Sequence, residues 1–164
     1  MAQNCKKFDI KQNITSSVVL KNVIMRYLKG WRPIMNESVK YWLDIADYDI
    51  ETARAMLKTG RYLYVGFMCH QVIEKALKAV IARDCAEGEI PPKIHNLTKL
   101  ANKAGLYEQM TNEQLLFVDE MNPLNIEARY PEYKNHVAAN LSENICEEML
   151  AKTEDLLCWI RERL

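Results

Sequence analysis

Apolar residues recur every three to four positions along most of this chain, which is the spacing of one face of an α-helix. The clearest stripe predicts a first core helix from about Asn36 to Lys58, with Asn36 as its N-cap. Gly60 fits the left-handed position that closes such a helix. The apolar positions of the stripe are Val39, Trp42, Leu43, Ala46, Ile50, Ala53 and Leu57.

A second helix is predicted from about Tyr62 to Asp84, and it is apolar on nearly all sides. A helix with so little polar surface belongs at the centre of a bundle. Its apolar positions are Leu63, Val65, Phe67, Met68, Val72, Ile73, Ala76, Leu77, Val80 and Ile81.

Two further helices are predicted after a loop that contains proline and glycine. The first is short, from Asn96 to Lys103, and ends at Gly105. The next begins at Thr111–Gln114, which has the pattern of a capping box. We expect Pro123 to kink or interrupt this helix and Pro131 to end it.

The last helix is predicted from about Ser142 to the C-terminus, with Ile145, Met149, Leu156, Ile160 and Leu164 facing inward. Together these segments predict an all-α fold, an antiparallel up-and-down bundle of four to five helices. We predict that residues 35–164 form this domain. Residues 1–34 form a basic N-terminal extension with one accessory helix; the alternative is that Met35 is the natural start.

The net charge is zero, but the charges are distributed unevenly. Residues 1–34 carry seven Lys or Arg against one acid, a net of +6, so residues 35–164 carry −6. An acidic body does not attract polyphosphate through its overall field, so any RNA contact must be local. Non-specific nucleic-acid binding is therefore disfavoured.

The five cysteines include no C-x-x-C pair, which argues against zinc or a redox dithiol. We interpret them as reduced thiols of a cytoplasmic protein. The longest uncharged run, Tyr62–Ile73, is too short to cross a bilayer. We therefore expect no metal, no cofactor and no membrane contact.

Four blocks of sequence, in order, resemble a known family. They are Tyr41–Ala53, His70–Ala79 with its Glu-Lys-Ala-Leu-Lys-Ala run, His95–Leu100 with the spacing H-x-L-x-x-L, and Asn125–Pro131 with an Arg-Tyr-Pro signature. Together they resemble the HEPN domain of prokaryotes, a helical, dimer-forming module that handles RNA or nucleotides.

The resemblance implies a catalytic motif, because active HEPN proteins are metal-independent ribonucleases that carry an arginine followed four to six residues later by a histidine. Arg129 and His136 have six residues between them. Imidazoles can accept and donate protons near neutral pH, as cleavage through the 2′-hydroxyl requires. A guanidinium binds phosphate with two parallel bonds. Two departures from the family pattern are Tyr130, where a small polar residue is common, and Ala138, where some members carry a tyrosine.

Other residues of the proposed site have plainer alternatives. Tyr130 and Tyr133 could stack on bases or anchor an interface. Lys134 could hold phosphate. Glu74 and Lys78, four positions apart, form a normal surface ion pair on a face that approaches the cleft in the family, which implies a role for them in binding.

The arginine and the histidines also have structural interpretations. Arg129 could pair with Glu127, Glu132 or Glu74. His136 could be an exposed or capping residue. His70 is expected to be a core or interface histidine with its hydrogen bonds satisfied, and His95 to cap the short helix together with Asn96.

The leading hypothesis is a bacterial, cytoplasmic endoribonuclease that acts as a homodimer, with Arg129 on the scissile phosphate and His136 in proton transfer. The resemblance implies a toxin–antitoxin pair with a minimal nucleotidyltransferase as partner. The alternative is a non-catalytic module that binds nucleotides or assists a nucleotidyltransferase, holding phosphate with Arg129 and Lys134. A third hypothesis is a dimeric adaptor that docks through its basic N-terminal arm.

Overall fold

The computed structural model describes residues 36–86, 89–127 and 141–164, with only the backbone of Ile126 and Glu127. All regular structure in these ranges is helical, which confirms the predicted all-α bundle. The helices are α1 (Glu37–Lys58), α2 (Tyr62–Asp84), α3 (Leu97–Lys103), α4 (Asn112–Met121), α5 (Leu124–Glu127) and α6 (Glu143–Arg161), with a 3₁₀ turn at Tyr107–Gln109.

The first two helices form an antiparallel hairpin because only three residues join them. Asn36 caps α1 as predicted, since its side-chain oxygen accepts a hydrogen bond from the Ser38 amide at 3.0 Å. Gly60, with φ +68°, provides the left-handed turn that ends α1. The limits of α2 are those predicted from its apolar run.

Helix α2 is the central element, in contact with α1, α3, α4, α5 and α6. Most of its residues are buried, as its apolar character predicts. Ile73 and Leu77 are fully buried in one core with Leu97 and Leu100 of α3. Among the described residues, α2 therefore packs against every other α-helix.

The predicted caps and breaks between α3 and α5 are confirmed. Asn96 caps α3 by accepting a hydrogen bond from the Lys99 amide at 2.8 Å. Thr111 and Gln114 form the reciprocal capping box of α4. Pro123 lies between the end of α4 and the start of α5. Pro131 lies outside the described residues.

The predicted inward face of α6 is wrong at two positions, because Ile145 and Leu164 are 45% and 37% exposed. The predicted face consists of large apolar residues, whereas the buried stripe also includes two small residues, Cys146 and Thr153. Thr153 can be buried because its hydroxyl donates to the Met149 carbonyl at 2.8 Å. The buried residues of α6 are Cys146, Leu150, Thr153, Leu156, Leu157 and Ile160.

Residues 1–34, including the predicted accessory helix, lie outside the described residues. Within residues 36–86, 89–127 and 141–164, no helix has both the length and the apolar character needed to cross a membrane. The same ranges contain no group of three or more His, Cys, Asp or Glu side chains placed to hold a metal ion.

Candidate functional site

A stripe of polar side chains follows one side of the otherwise apolar helix α2. We call it the polar face of α2, and it consists of His70, Gln71, Glu74, Lys75 and Lys78. These positions lie on one side because residues three and four apart are neighbours on a helix. Burying charged groups is costly unless they are paired, so their partners determine what the face can do.

Glu74 is the centre of the polar face, and only 1% of it is exposed. Its Oε1 accepts hydrogen bonds from Lys78 Nζ at 2.8 Å and Lys75 Nζ at 3.0 Å, and its Oε2 lies 2.9 Å from His95 Nδ1. Burial alone would raise the pKa of Glu74, but these partners lower it to about 2. The carboxylate is therefore ionised at neutral pH.

The ion pair of Glu74 and Lys78 is present, but the expectation that it lies on the surface is wrong. Lys78 is only 5% exposed, because Trp42 of α1 covers this part of α2. Lys78 Nζ lies 5.2 Å from the centroid of the Trp42 ring, a cation–π distance. Lys75 Nζ also donates to Gln71 Oε1 at 2.6 Å.

The prediction that His95 caps α3 together with Asn96 is wrong, because Asn96 alone provides the side-chain cap. The His95 ring is directed at Glu74 of α2 instead, while 59% of its side chain remains exposed. A carboxylate can only accept, so His95 Nδ1 carries the hydrogen of this bond. The arrangement is a buried carboxylate that orients an accessible imidazole.

His70 is a buried histidine with satisfied hydrogen bonds, as predicted. It is 0% exposed, and its Nε2 donates to the carbonyl of His95 at 3.0 Å. Burial lowers the pKa of His70 to about 4, so its ring is neutral at pH 7. His70 therefore fixes the backbone of His95 and is not itself accessible to a ligand.

Helix α5 is fastened to the polar face by Asn125, which is 4% exposed. Gln71 Nε2 donates to Asn125 Oδ1 at 3.3 Å and lies 3.5 Å from His70 Nδ1. Asn125 therefore holds α5 against the polar face of α2. Asn125 is four residues before Arg129 in the sequence.

The end of α4 is fastened beside His95 by Asn122. Its side-chain oxygen accepts from the Leu97 amide at 2.7 Å, and its amide donates to the Thr98 hydroxyl at 3.0 Å. Thr98 in turn donates to Asp119 at 2.6 Å. The stretch that carries His95 is thus held by both α2 and α4.

Asp49 of α1 faces the same side of α2. Burial raises its pKa, Lys75 lowers it and Glu74 raises it. Asp49 of α1 is therefore electrostatically coupled to both Lys75 and Glu74 of α2.

Among the predicted site residues, the structure brings Glu74 and Lys78 together. The others lie outside the described residues, and their roles stay predictions; they are Arg129, Tyr130, Tyr133, Lys134 and His136. The contributions of Lys75, Gln71 and Asn125 and the pairing of His95 with Glu74 were not predicted from the sequence. The sequence feature that indicates these contacts is the row of polar residues along one side of the otherwise apolar helix α2.

A family model and two solved structures match this chain. A family model described as the HEPN domain matches residues 39–163. A solved structure, TT1696 from Thermus thermophilus, has a TM-score of 0.64 at 22% identity, covering 77% of this chain and 98% of that one. ST0689, described as an archaeal HEPN homologue, has a TM-score of 0.56 at 23% identity, covering 76% and 96%. At these identities the two structures show a shared fold. The search of curated proteins finds no match.

Proposed function

This chain belongs to the HEPN domain family, and from that premise we propose that it is a metal-independent endoribonuclease acting as a homodimer. The matched residues 39–163 include both Arg129 and His136, the pair with the spacing of the family's catalytic motif. Two such pairs, one from each subunit, would face one another across a shared cleft.

In the proposed reaction, the guanidinium of Arg129 binds the scissile phosphate with two parallel hydrogen bonds. It also stabilises the negative charge that develops on the phosphate oxygens. His136 takes part in proton transfer, for which an imidazole is suited near neutral pH. Tyr130 and Tyr133 stack on unpaired bases.

This proposal rests on the polar face of α2 and on the attachment of α5 to that face. An imidazole oriented by a buried carboxylate, His95 on Glu74, lies on the side of the helix to which Asn125 fastens α5. The chain then continues directly to Arg129. We therefore expect the phosphate-binding motif of Arg129 and His136 to lie near this face.

We further propose a bacterial, cytoplasmic toxin neutralised by a minimal nucleotidyltransferase partner, as in many family members with the Arg-Tyr-Pro signature. A toxin of this kind slows the growth of the cells that express it, whereas H136A does not. Relief of the growth defect by a co-expressed nucleotidyltransferase is the expected result. Equal growth of cells expressing the wild type and H136A would contradict the toxin role.

The proposed activity is tested by incubating the chain with single-stranded RNA in excess EDTA. The wild type should cleave the RNA, while R129A and H136A should lose cleavage and keep their helical circular dichroism. R61A is the matched control, since Arg61 is exposed, lies outside the polar face and should leave cleavage unchanged. Undiminished cleavage by H136A would contradict the mechanism.

A second candidate function, a non-catalytic nucleotide-binding module, is favoured by Tyr130. Active family members commonly have a small polar residue at the position after the arginine, which Tyr130 occupies here. In this version Arg129 and Lys134 hold the phosphates of a nucleotide. Calorimetric titration with ATP and GTP distinguishes the two functions, because nucleotide binding with intact RNA supports only the module.

A further inference from the structure

Two large aliphatic side chains are exposed on helices α4 and α6. Leu116 of α4 is 65% exposed and Ile145 of α6 is 45% exposed. The opposite sides of the same helices belong to the core, through Phe117 of α4 and Leu150 of α6. Packing within the domain therefore does not explain why Leu116 and Ile145 are large and apolar.

Leu116 lies on the side of α4 that faces α6. Glu113 and Glu120 are three positions before it and four positions after it, so the three side chains share one side of the helix. Both glutamates influence Lys152 of α6. The hydrogen bond to Glu148 raises the pKa of Lys152 most, and the charges of Glu120 and Glu113 raise it further. Charges at a protein surface act over short distances, so this side of α4 lies next to α6.

Ile145 belongs to the corresponding side of α6. Ile145, Glu148 and Lys152 are three and four positions apart, so they also share one side of their helix. Glu148 and Lys152 form an ion pair at 2.6 Å there. The two sides together form one surface, which we call the α4–α6 face. It consists of Glu113, Leu116, Glu120, Ile145, Glu148 and Lys152.

The α4–α6 face is acidic around its aliphatic side chains. It carries three glutamates and one lysine, a net charge of −2. Lys152 is already paired with Glu148. Glu113 and Glu120 are exposed, and within the described part of the chain they form no hydrogen bond. A binding partner that complements this face must therefore bring positive charge together with apolar side chains.

We propose that the α4–α6 face binds an amphipathic helix of a partner protein, one whose apolar stripe is bordered by lysine or arginine. Two neighbouring helices form a surface on which a third helix can pack, as in other complexes in which a helix lies in an apolar groove. The apolar stripe of the partner covers Leu116 and Ile145. Its basic residues pair with Glu113 and Glu120, which fixes the orientation of the bound helix.

The charge of the α4–α6 face disfavours two other occupants. Nucleic acid is repelled, because phosphates need basic groups to replace their counterions. In a symmetric pair formed by this face and the same face of a second copy, the acidic side chains of both copies would meet. Such a juxtaposition of like charges is costly. A basic helix is free of both penalties.

The test measures the binding of a fluorescein-labelled peptide of leucine and lysine, whose leucines form one helical stripe, to the full-length protein by fluorescence anisotropy. L116N and I145N should each weaken binding about 10-fold, because each removes an apolar contact at the centre of the face. I90N is the matched control, because Ile90 is 71% exposed but lies in the loop before α3. It should bind the peptide as the wild type does.

The charges are tested with the double variant E113Q/E120Q. We expect weaker binding that depends less on salt concentration, because salt screens the attraction between exposed charges. The control is E37Q/E51Q, which removes two exposed glutamates of α1 and should leave binding unchanged. A peptide with glutamate in place of lysine should not bind.

Four results would overturn the proposal. They are no binding by the wild type, equal binding by the wild type, L116N and E113Q/E120Q, a wild-type dimer that L116N converts to a monomer in light scattering, and carbodiimide cross-links from Glu113 or Glu120 to a lysine of residues 1–34. The third result would identify a second copy as the occupant, and the fourth the basic arm of the chain itself. None of these measurements uses RNA, so their outcome is independent of the proposed endoribonuclease function.

Discussion

At the scale of single residues, Glu74 is the group on which the polar face of α2 depends. It balances two ammonium groups, those of Lys75 and Lys78, in a part of the protein with little access to water. Removing one partner of a buried ion pair leaves an uncompensated charge, which costs far more than the loss of a surface pair.

We expect E74Q to lower the free energy of unfolding by about 3–5 kcal/mol, because Lys75 and Lys78 lose their carboxylate. Urea denaturation at pH 7 measures this change. E148Q is the matched control, since Glu148 pairs with Lys152 at the same four-residue spacing but on the exposed surface of α6. Equal denaturation midpoints for the two variants would show that the Glu74 pair is not buried in solution.

His70 should make the domain less stable in mild acid. Its pKa is about 4 in the folded protein and 6.5 in the unfolded chain, so the unfolded chain binds more protons between these values. Stability therefore falls as the pH is lowered from 6.5 to 4, by about 3 kcal/mol from this residue. Glu74 acts in a lower window, because its stabilisation is complete above pH 4.5 and is lost toward pH 2.

The variant H70Q tests this assignment, because glutamine can still donate to the His95 carbonyl but does not titrate. Urea midpoints between pH 4.5 and 7.5 should depend on pH less steeply in H70Q than in the wild type. Parallel curves would mean that the ring is already accessible to protons in the folded state.

The contacts of Glu74 also show which features of the site can be predicted from the sequence and which cannot. The spacing of Glu74 and Lys78 predicts their ion pair, since positions four apart on a helix are neighbours. It cannot predict that Trp42 of α1 covers the pair, because this depends on how two helices pack. The contact of His95 with Glu74 joins residues 21 positions apart and has no local signal.

At the scale of elements, the ends of the helices were the most predictable feature. Asn36, Asn96 and Thr111 all cap the helices they were expected to cap, because a cap is formed within a few residues. The inward face of α6 was less predictable. Cys146 and Thr153 are small, and only the packing against α2 shows that they are buried.

Asn122 joins α4 to the start of α3, and we expect N122A to lower the free energy of unfolding by about 1–2 kcal/mol. The variant leaves the Leu97 amide without its acceptor and the Thr98 hydroxyl without a donor. The measurement is again urea denaturation. N102A is the control, because the Asn102 amide donates to the Thr98 carbonyl on an exposed surface and its loss should change little. Equal losses in both variants would contradict the role given to Asn122.

At the scale of the whole molecule, the all-α bundle was predictable because apolar spacing, caps and proline positions all indicate the same helices. The family followed from the same residues, and its model spans residues 39–163. The catalytic motif is different, because Arg129 and His136 lie outside the described residues and their arrangement stays a prediction.

The distribution of charge leads to an expectation for RNA binding. Residues 35–164 carry a net charge of −6, so attraction over long distances should be weak and the contacts local. With one Arg129 from each subunit on phosphate, the logarithm of the affinity should fall with the logarithm of salt concentration with a slope of about −1 to −2. Fluorescence anisotropy with the inactive H136A variant measures this slope. A slope of about −5 or steeper would show that the basic residues 1–34 bind RNA instead.

The most direct test of the central claim, RNA cleavage through the 2′-hydroxyl without metal, is the chemistry of the product ends. Single-stranded RNA is treated with the wild type in excess EDTA, and the fragments are analysed by mass spectrometry. We expect 2′,3′-cyclic phosphate and 5′-hydroxyl ends, and none of these fragments with R129A or H136A. Intact RNA, or fragments with 3′-hydroxyl and 5′-phosphate ends, would contradict the account.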